Sequence, residues 1–293
     1  MILKQLILNG LAQGCVYLIV ALSFAFIYRV VRFFHFSHGI VFAFGPYCAL
    51  FFVKCLGFSS FYSIPLAILF CGAFGCLMEV TIYRPLRKQG SSPLALLLAS
   101  LGIYVVAQNA ISFLYSDETQ SIRQGEIRRG FEFIGAIITP IQIQTILVSL
   151  IVAVGSALLL AKTGMGKAMR AVANDLDLAR CCGVDSDRII LSTFAIGSAL
   201  AGLGGTLVAL DIDMTPTMGM NPLLMALVAM VVGGIDTIRG ITFGALFLGL
   251  AQSVAVWKLG SQWQSAIAFI ILLIFLVVRP QGRLGYRMRQ TQI

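Results

Sequence analysis

The stretch LILNGLAQGCVYLIVALSFAFIY, residues 6–28, contains no Asp, Glu, Lys or Arg. A helix crosses the ~30 Å hydrocarbon layer of a bilayer with about 20 apolar residues, so this one run predicts a transmembrane helix. Further apolar runs predict spans at 39–54, 62–83, 93–115, 143–161, 189–210, 222–235, 240–258 and 261–278. That makes nine, and because the second, seventh and last are short, eight or ten are the alternatives. The fold class is an all-α polytopic helical bundle, since backbone groups in lipid bond within their own helix. Composition agrees: 59% of the 293 residues are hydrophobic and 11% are charged.

The charges carry orientation. With the N-terminus outside, the inner connections hold Arg29, Arg32, Arg84, Arg87, Lys88, Lys162, Lys167, Arg170, Arg180, Arg188, Arg239, Arg279, Arg283, Arg287 and Arg289, which is 15 of the 21 Lys and Arg. The outer ones hold Lys4, Lys54, Arg123, Arg128, Arg129 and Lys258. The positive-inside rule therefore predicts an outside N-terminus and a cytosolic C-terminus. The net charge of +9 reads as topology rather than nucleic-acid binding. The polar segments 116–142 and 162–188 are too short for soluble domains, which leaves one membrane domain over 1–293. The first span lacks a strong cationic n-region and reads as a retained helix.

The seven cysteines show no metal spacing: Cys15, Cys48, Cys71 and Cys76 lie in spans, Cys55 at a span edge, and Cys181 and Cys182 in the long inner loop. They read as small apolar packing residues and a reduced pair. His35 and His38 read as interfacial polar residues rather than metal ligands. No metal site and no catalytic group is expected: an enzyme needs a convergent set of nucleophile, base or ligands, and none is assembled here.

Residues 162–188, KTGMGKAMRAVANDLDLARCCGVDSDR, are helix-compatible from 165 through 180, with Ala171, Asn174, Leu178 and Cys181 spaced for one face and Gly183 as the stop. On these residues alone an ordinary solvated loop is the plainer reading, and a helix docking on a soluble partner is the other.

Several motifs occur in order. Asn9, Gly10, Leu11, Gly14, Tyr17 and Leu22 open the chain, followed by FHFSHG at 34–39 and by Glu79 with YRPLR at 83–87. Ser100, Gly102, Gln108 and Asn109 come next, then GKAMRAVAND at 166–175 and DLARCCG at 177–183. AGLGG at 201–205, Gly233, Gly234, Gly240 and RPQGRLG at 279–285 close the series. Over nearly its whole length the chain resembles the H-type permease of the high-affinity branched-chain amino-acid ABC importer family. Ile40, Asp236, Arg239 and Arg283 depart from that pattern.

The resemblance implies an ATP-driven importer with two permease subunits, two cytosolic ATPase subunits and a periplasmic or extracellular binding protein, in the bacterial inner membrane. Segment 162–188 becomes its coupling loop, with Arg170, Asp177, Ala179 and Gly183 as ATPase-coupling residues and Ala179 expected to face a close-packed groove on the partner. The chain has no phosphate-binding loop of its own, because Gly166 and Lys167 are followed by Ala168 rather than by Ser or Thr. No cofactor is expected on it, and ATP and Mg²⁺ belong to the ATPase. Related permeases carry leucine-type amino acids, other amino acids, urea or short amides.

Polar side chains inside spans are costly unless partnered or wetted, so Asn9, Gln13, Ser100, Asn109 and Ser198 are substrate-path candidates; helix-to-helix bonding is the rival role. Glu79, one turn before Arg84, is expected to form a structural ion pair with Arg84 or Arg87, Arg84 being the nearer. Gly240, Gly244 and Gly249 form a stripe suited to close helix packing. An ion-coupled secondary transporter is the competing class, and it lacks a mid-membrane ionisable group.

Overall fold

The computed structural model describes residues 2–122, 130–133, 135–235 and 237–278. Arg123, Arg128, Arg129, Asp236 and the tail from Arg279, with its RPQGRLG motif, lie outside the described residues. The chain runs α1 (Ile2–Val31), α2 (His38–Leu56), α3 (Ser60–Met78), a π turn (Glu79–Tyr83), α4 (Arg84–Lys88) and α5 (Pro93–Tyr115). A small hairpin of β1 (Phe131–Phe133) and β2 (Ala136–Ile138) precedes α6 (Pro140–Lys162), α7 (Gly164–Asn174), α8 (Leu176–Cys181) and α9 (Ser186–Asp211). The chain ends with α10 (Met220–Gly233), α11 (Ile238–Leu259), a 3₁₀ turn (Ser261–Trp263) and α12 (Gln264–Val278).

Eight helices among the described residues are long and apolar enough to cross a membrane. The ninth expected span is α10, whose 14 residues rise about 21 Å, short of a full crossing. It survives as a short helix because it lies inside the protein: Leu223, Met225, Ala226, Met230 and Val232 are all buried. The turn before it folds into the bundle, so that a Cβ on Gly219 would collide with the carbonyl of Gly39 at the start of α2.

The α1–α2 connection also folds back. His38 opens α2 with its ring 2.7 Å from the hydroxyl of Ser23, which lies eight residues, or about 12 Å, before the end of α1. This corrects the interfacial reading of the two histidines. His35 and His38 are fully buried, with Ser37 bridging the His35 ring and the Tyr83 hydroxyl.

Small residues set the helix spacing. Gly10 and Gly14 of α1 meet Gly249 of α11, where an added Cβ would lie 2.5 Å from the Gly10 carbonyl oxygen. Side chains on Gly240 and Gly244 would instead strike α10, at Gly233 and Ala229. The glycine stripe thus serves two neighbours, and backbones approach as apolar surroundings without a strong hydrophobic drive require. By contrast α5, α6 and α12 turn broad apolar faces outward, with Val106, Phe113, Ile151 and Val277 more than two-thirds exposed. Those faces match lipid.

Candidate functional site

Two groups of polar and charged residues lie at opposite ends of the bundle. One end holds α7 and α8. The helix expected over 165–180 is two helices, because Asp175 adopts an extended backbone and its carboxylate accepts from the N–H groups of Asp177 and Leu178, both at 2.9 Å. An acidic cap of this kind starts a new helix rather than continuing the old one. Ala171 and Asn174 therefore share no helix with Leu178 and Cys181. α7 is amphipathic: Gly166, Met169 and Val172 pack on the bundle and Arg170 is exposed. Gly183, at φ +82, ends α8 in the left-handed region where a Cβ is strained.

Ala179 is 4% exposed and packs against its own bundle, which corrects the expectation that it faces a partner's groove. The reason is helical phase. On a six-residue helix with one buried position, the neighbours Asp177, Leu178 and Arg180 project outward, Leu178 at 63% exposure.

Beside this end, Glu79 pairs with Arg87 through two hydrogen bonds, and Arg84 pairs with Asp187 of α9. The proposed Glu79–Arg84 pair is thus replaced by two others. In the π turn the Arg84 amide donates to the Glu79 carbonyl, which places their backbones together while the Arg84 side chain points to α9. Arg87 lies one turn further along and reaches back to Glu79. Arg180 of α8 stands 3.9 Å from both Asp177 and Asp187, so α8, α9 and the start of α4 meet in one ionic cluster. Arg32 extends the contact from α1 by donating to the Ala173 carbonyl at 2.9 Å.

The opposite end, which carries the N-terminus, contains a cavity of about 380 Å³. It is walled by the N-terminal parts of α1, α6, α10 and α12 and the C-terminal end of α9. Asn9 and Gln13 line it, together with Tyr17, Gln142, Thr145, Asp211, Asn221 and Gln264. At its base the Tyr17 hydroxyl accepts from Gln13 at 2.8 Å and from Gln264 at 3.3 Å, and donates to Gln252 at 2.8 Å. The Gln252 amide in turn donates to the Gln264 carbonyl at 3.0 Å.

The structure does not bring the other three path candidates to this cavity. Ser100 is buried beside the α1–α2 connection, accepting from the Phe36 amide at 3.1 Å. Asn109 is exposed and donates to Val105 of its own helix. Ser198 is buried against Gly75. Sequence reasoning missed Tyr17, Gln142, Asp211, Asn221 and Gln264 as wall residues. The available signal was positional: Gln142, Asp211, Asn221 and Gln264 each sit near the same-side end of their helix, and Asp211 is an acidic residue one position beyond an expected span, whereas Tyr17 lies mid-helix.

Comparison with known proteins follows this geometry. The profile of the family described as branched-chain amino acid transport system / permease component matches residues 6–276. The chain is 32% identical to the high-affinity branched-chain amino acid transport system permease protein BraD of Pseudomonas aeruginosa, over 97% of this chain and 95% of that one. It is 28% identical to the permease protein LivH of the same kind of system in Escherichia coli K12, over 96% and 95%. Among solved structures, a chain of PsaBC from Streptococcus pneumoniae in complex with Fab aligns with a TM-score of 0.53 and 16% identity, covering 94% of this chain and 92% of that one. That likeness is one of fold.

Proposed function

The chain belongs to the family of branched-chain amino acid transport system permease components, and from that premise we propose how it works within an importer. It is a membrane-spanning permease subunit of an ABC importer. Its substrate is a branched-chain or similar amino acid, its α7–α8 end lies in the cytosol, and its N-terminus lies outside. It works with a second permease, two ATPase subunits that bind ATP and Mg²⁺, and an external binding protein, and it performs no covalent chemistry itself.

The observation that carries this reading is the family match running through 162–188, where α8 buries Ala179 and turns Leu178 and charged neighbours away from the bundle. Such a surface suits a soluble partner whose nucleotide-driven closure pulls on it. The ionic cluster of Arg180, Asp187 and Arg84 connects that pull to α9 and to α4, which continues through the π turn into α3, so a displacement of α8 is passed to two spans at once. Nucleotide then biases a two-state exchange between openings to the two sides.

Radiolabelled leucine uptake by cells lacking other leucine importers, with competition by glutamate, urea and acetamide, tests the substrate. Competition by aliphatic amino acids and none by urea or acetamide is expected. Preferential competition by urea or acetamide moves the assignment to an amide permease.

A further inference from the structure

We propose that the hydrogen bond between Tyr83 and Ser37 hands motion at the α7–α8 end to the wall of the cavity at the N-terminal end, with Tyr83 as the positioning residue. The inference rests on the importer reading and supplies an internal linkage for it. The two hydroxyls, 46 positions apart in the chain, meet at 2.6 Å. One belongs to YRPLR and the other to FHFSHG, so the contact gives these two motifs a joint purpose.

Tyr83 and Arg84 grip α9 side by side. Arg84 pairs with Asp187, and the Tyr83 ring stacks on Phe194 with centroids 5.5 Å apart, about two helical turns further along α9. The end of the π turn and α9 are thus joined at two points, and they shift together when Arg180 of α8 draws on Asp187. Tyr83 is fully buried, and Phe33 and His35 also flank its ring at 5.2 Å each. A side chain enclosed at the density of a protein interior has no slack to absorb a displacement, so the motion passes to its neighbours or breaks a buried hydrogen bond.

From Ser37 the route to the cavity is short. Two residues on, the carbonyl of Gly39 occupies the place of a Cβ on Gly219, so the start of α2 and the turn before α10 touch backbone to backbone with no side chain between them to yield. Asn221 and Pro222, in the first turn of α10, stand in the cavity wall. On either side of Ser37 the connection is braced on two spans: the Phe36 amide donates to Ser100 of α5, and the His38 ring meets Ser23 of α1. It therefore moves as one piece, and the wall formed by α10 follows the position of the π turn, a two-state element biased from the α7–α8 end.

The test uses the complete importer in proteoliposomes, with its ATPase subunits and external binding protein, and reads tritiated leucine taken up per ATP hydrolysed. Tyr83→Phe keeps the ring and leaves Ser37 bonded to the His35 ring at 3.2 Å, so its unfolding midpoint and its yield of assembled complex should match wild type. Leucine moved per ATP should nevertheless fall about fivefold or more, the scale of one buried hydrogen bond. Tyr83→Phe with Ser37→Ala should fall no further than the worse single variant, because both remove the same bond. Amide hydrogen exchange at 219–223 should change when ATP binds the wild-type complex, and Tyr83→Phe should lose that change while keeping the one at 176–181. Wild-type leucine per ATP in Tyr83→Phe, losses that add in the double variant, uptake that falls only in proportion to assembled complex, or an exchange change at 219–223 that survives Tyr83→Phe overturns the linkage. So does wild-type exchange that responds to ATP at 176–181 and not at 219–223, a result that decides the matter even where Tyr83→Phe fails to assemble. Wild-type importer that shows no ATP-driven uptake of any amino acid overturns the transport reading instead.

Discussion

The two ends of this bundle are built from different chemistry. Around the cavity most of the described polar groups are amides and hydroxyls, whereas beside α7 and α8 several charges are held in pairs: Glu79 with Arg87, Arg84 with Asp187, Asp185 with Arg188. Neutral donors around a cavity keep hydrogen-bonding capacity for a ligand. Paired charges fix helices to one another, while Arg170, Asp177 and Leu178 stay exposed on the outer face of α7 and α8. On the proposed function, the end with paired charges is the one through which force is passed on.

Between the ends runs the glycine-lined seam of α1, α10 and α11, and a change there should damage both ends together. Gly244→Leu drives a branched side chain into the Ala229 backbone; overpacking costs about 1–3 kcal/mol even for smaller additions. Size-exclusion chromatography after detergent extraction should return aggregate rather than a folded peak, the largest effect predicted here.

Next in size is Arg87→Leu, which strands a carboxylate that is 1% exposed. Removing one partner of a buried pair costs about 3–5 kcal/mol. Thermal unfolding in detergent should fall steeply, and adding Glu79→Gln should recover much of the loss. At the other end Tyr17→Phe deletes a hydroxyl with three glutamine partners and should cost about 1–3 kcal/mol by leaving buried amides unsatisfied. Its unfolding midpoint should drop less than that of Arg87→Leu. Equal drops would erase the distinction between a paired end and an amide-lined one.

The smallest stability change belongs to Arg84 and Asp187, which are 40% and 29% exposed at their side chains. Exposed pairs contribute about 0–1 kcal/mol, so Arg84→Glu should barely move the unfolding midpoint while lowering uptake, and Arg84→Glu with Asp187→Arg should restore uptake. Restoration by Glu79→Arg in place of Asp187→Arg would reinstate the pairing that the structure replaces.

How much of this was legible in the sequence depends on range. Pro93–Tyr115 and Ser261–Val278 coincide with the expected spans, since long apolar runs bounded by Ser92, Pro93 or Gly260 carry their own limits. α10 shows where hydropathy stops: an apolar run buried in protein looks the same as one in lipid, and only its length hints at the difference. The break at Asp175 was hidden because a side-chain cap competes with helix-forming composition and leaves the residue pattern unchanged. Glu79 was rightly taken as paired, but the choice between Arg84 and Arg87 turned on a π turn that no local pattern announces. The cavity was half visible. Asn9 and Gln13 stood out as polar residues in an apolar run, while the bond from Tyr17 to Gln252 joins positions 235 apart and the convergence of Asp211 with Asn221 depends on how α9 and α10 pack.

The central claim is that ATP hydrolysis by a separate subunit drives transport through the α7–α8 connection. Proteoliposomes containing the importer, with the permease either wild-type or Gly183→Val, test it directly. Gly183 sits at φ +82 with no atom within 4 Å of an added Cβ, so valine strains the backbone by about 1–3 kcal/mol without a collision. The wild-type importer should take up leucine only with ATP and the ATPase present, and the variant should insert and assemble yet lose both uptake and substrate-stimulated hydrolysis. Uptake by the wild-type permease without any ATPase, or full ATP-driven uptake by Gly183→Val, would contradict the account.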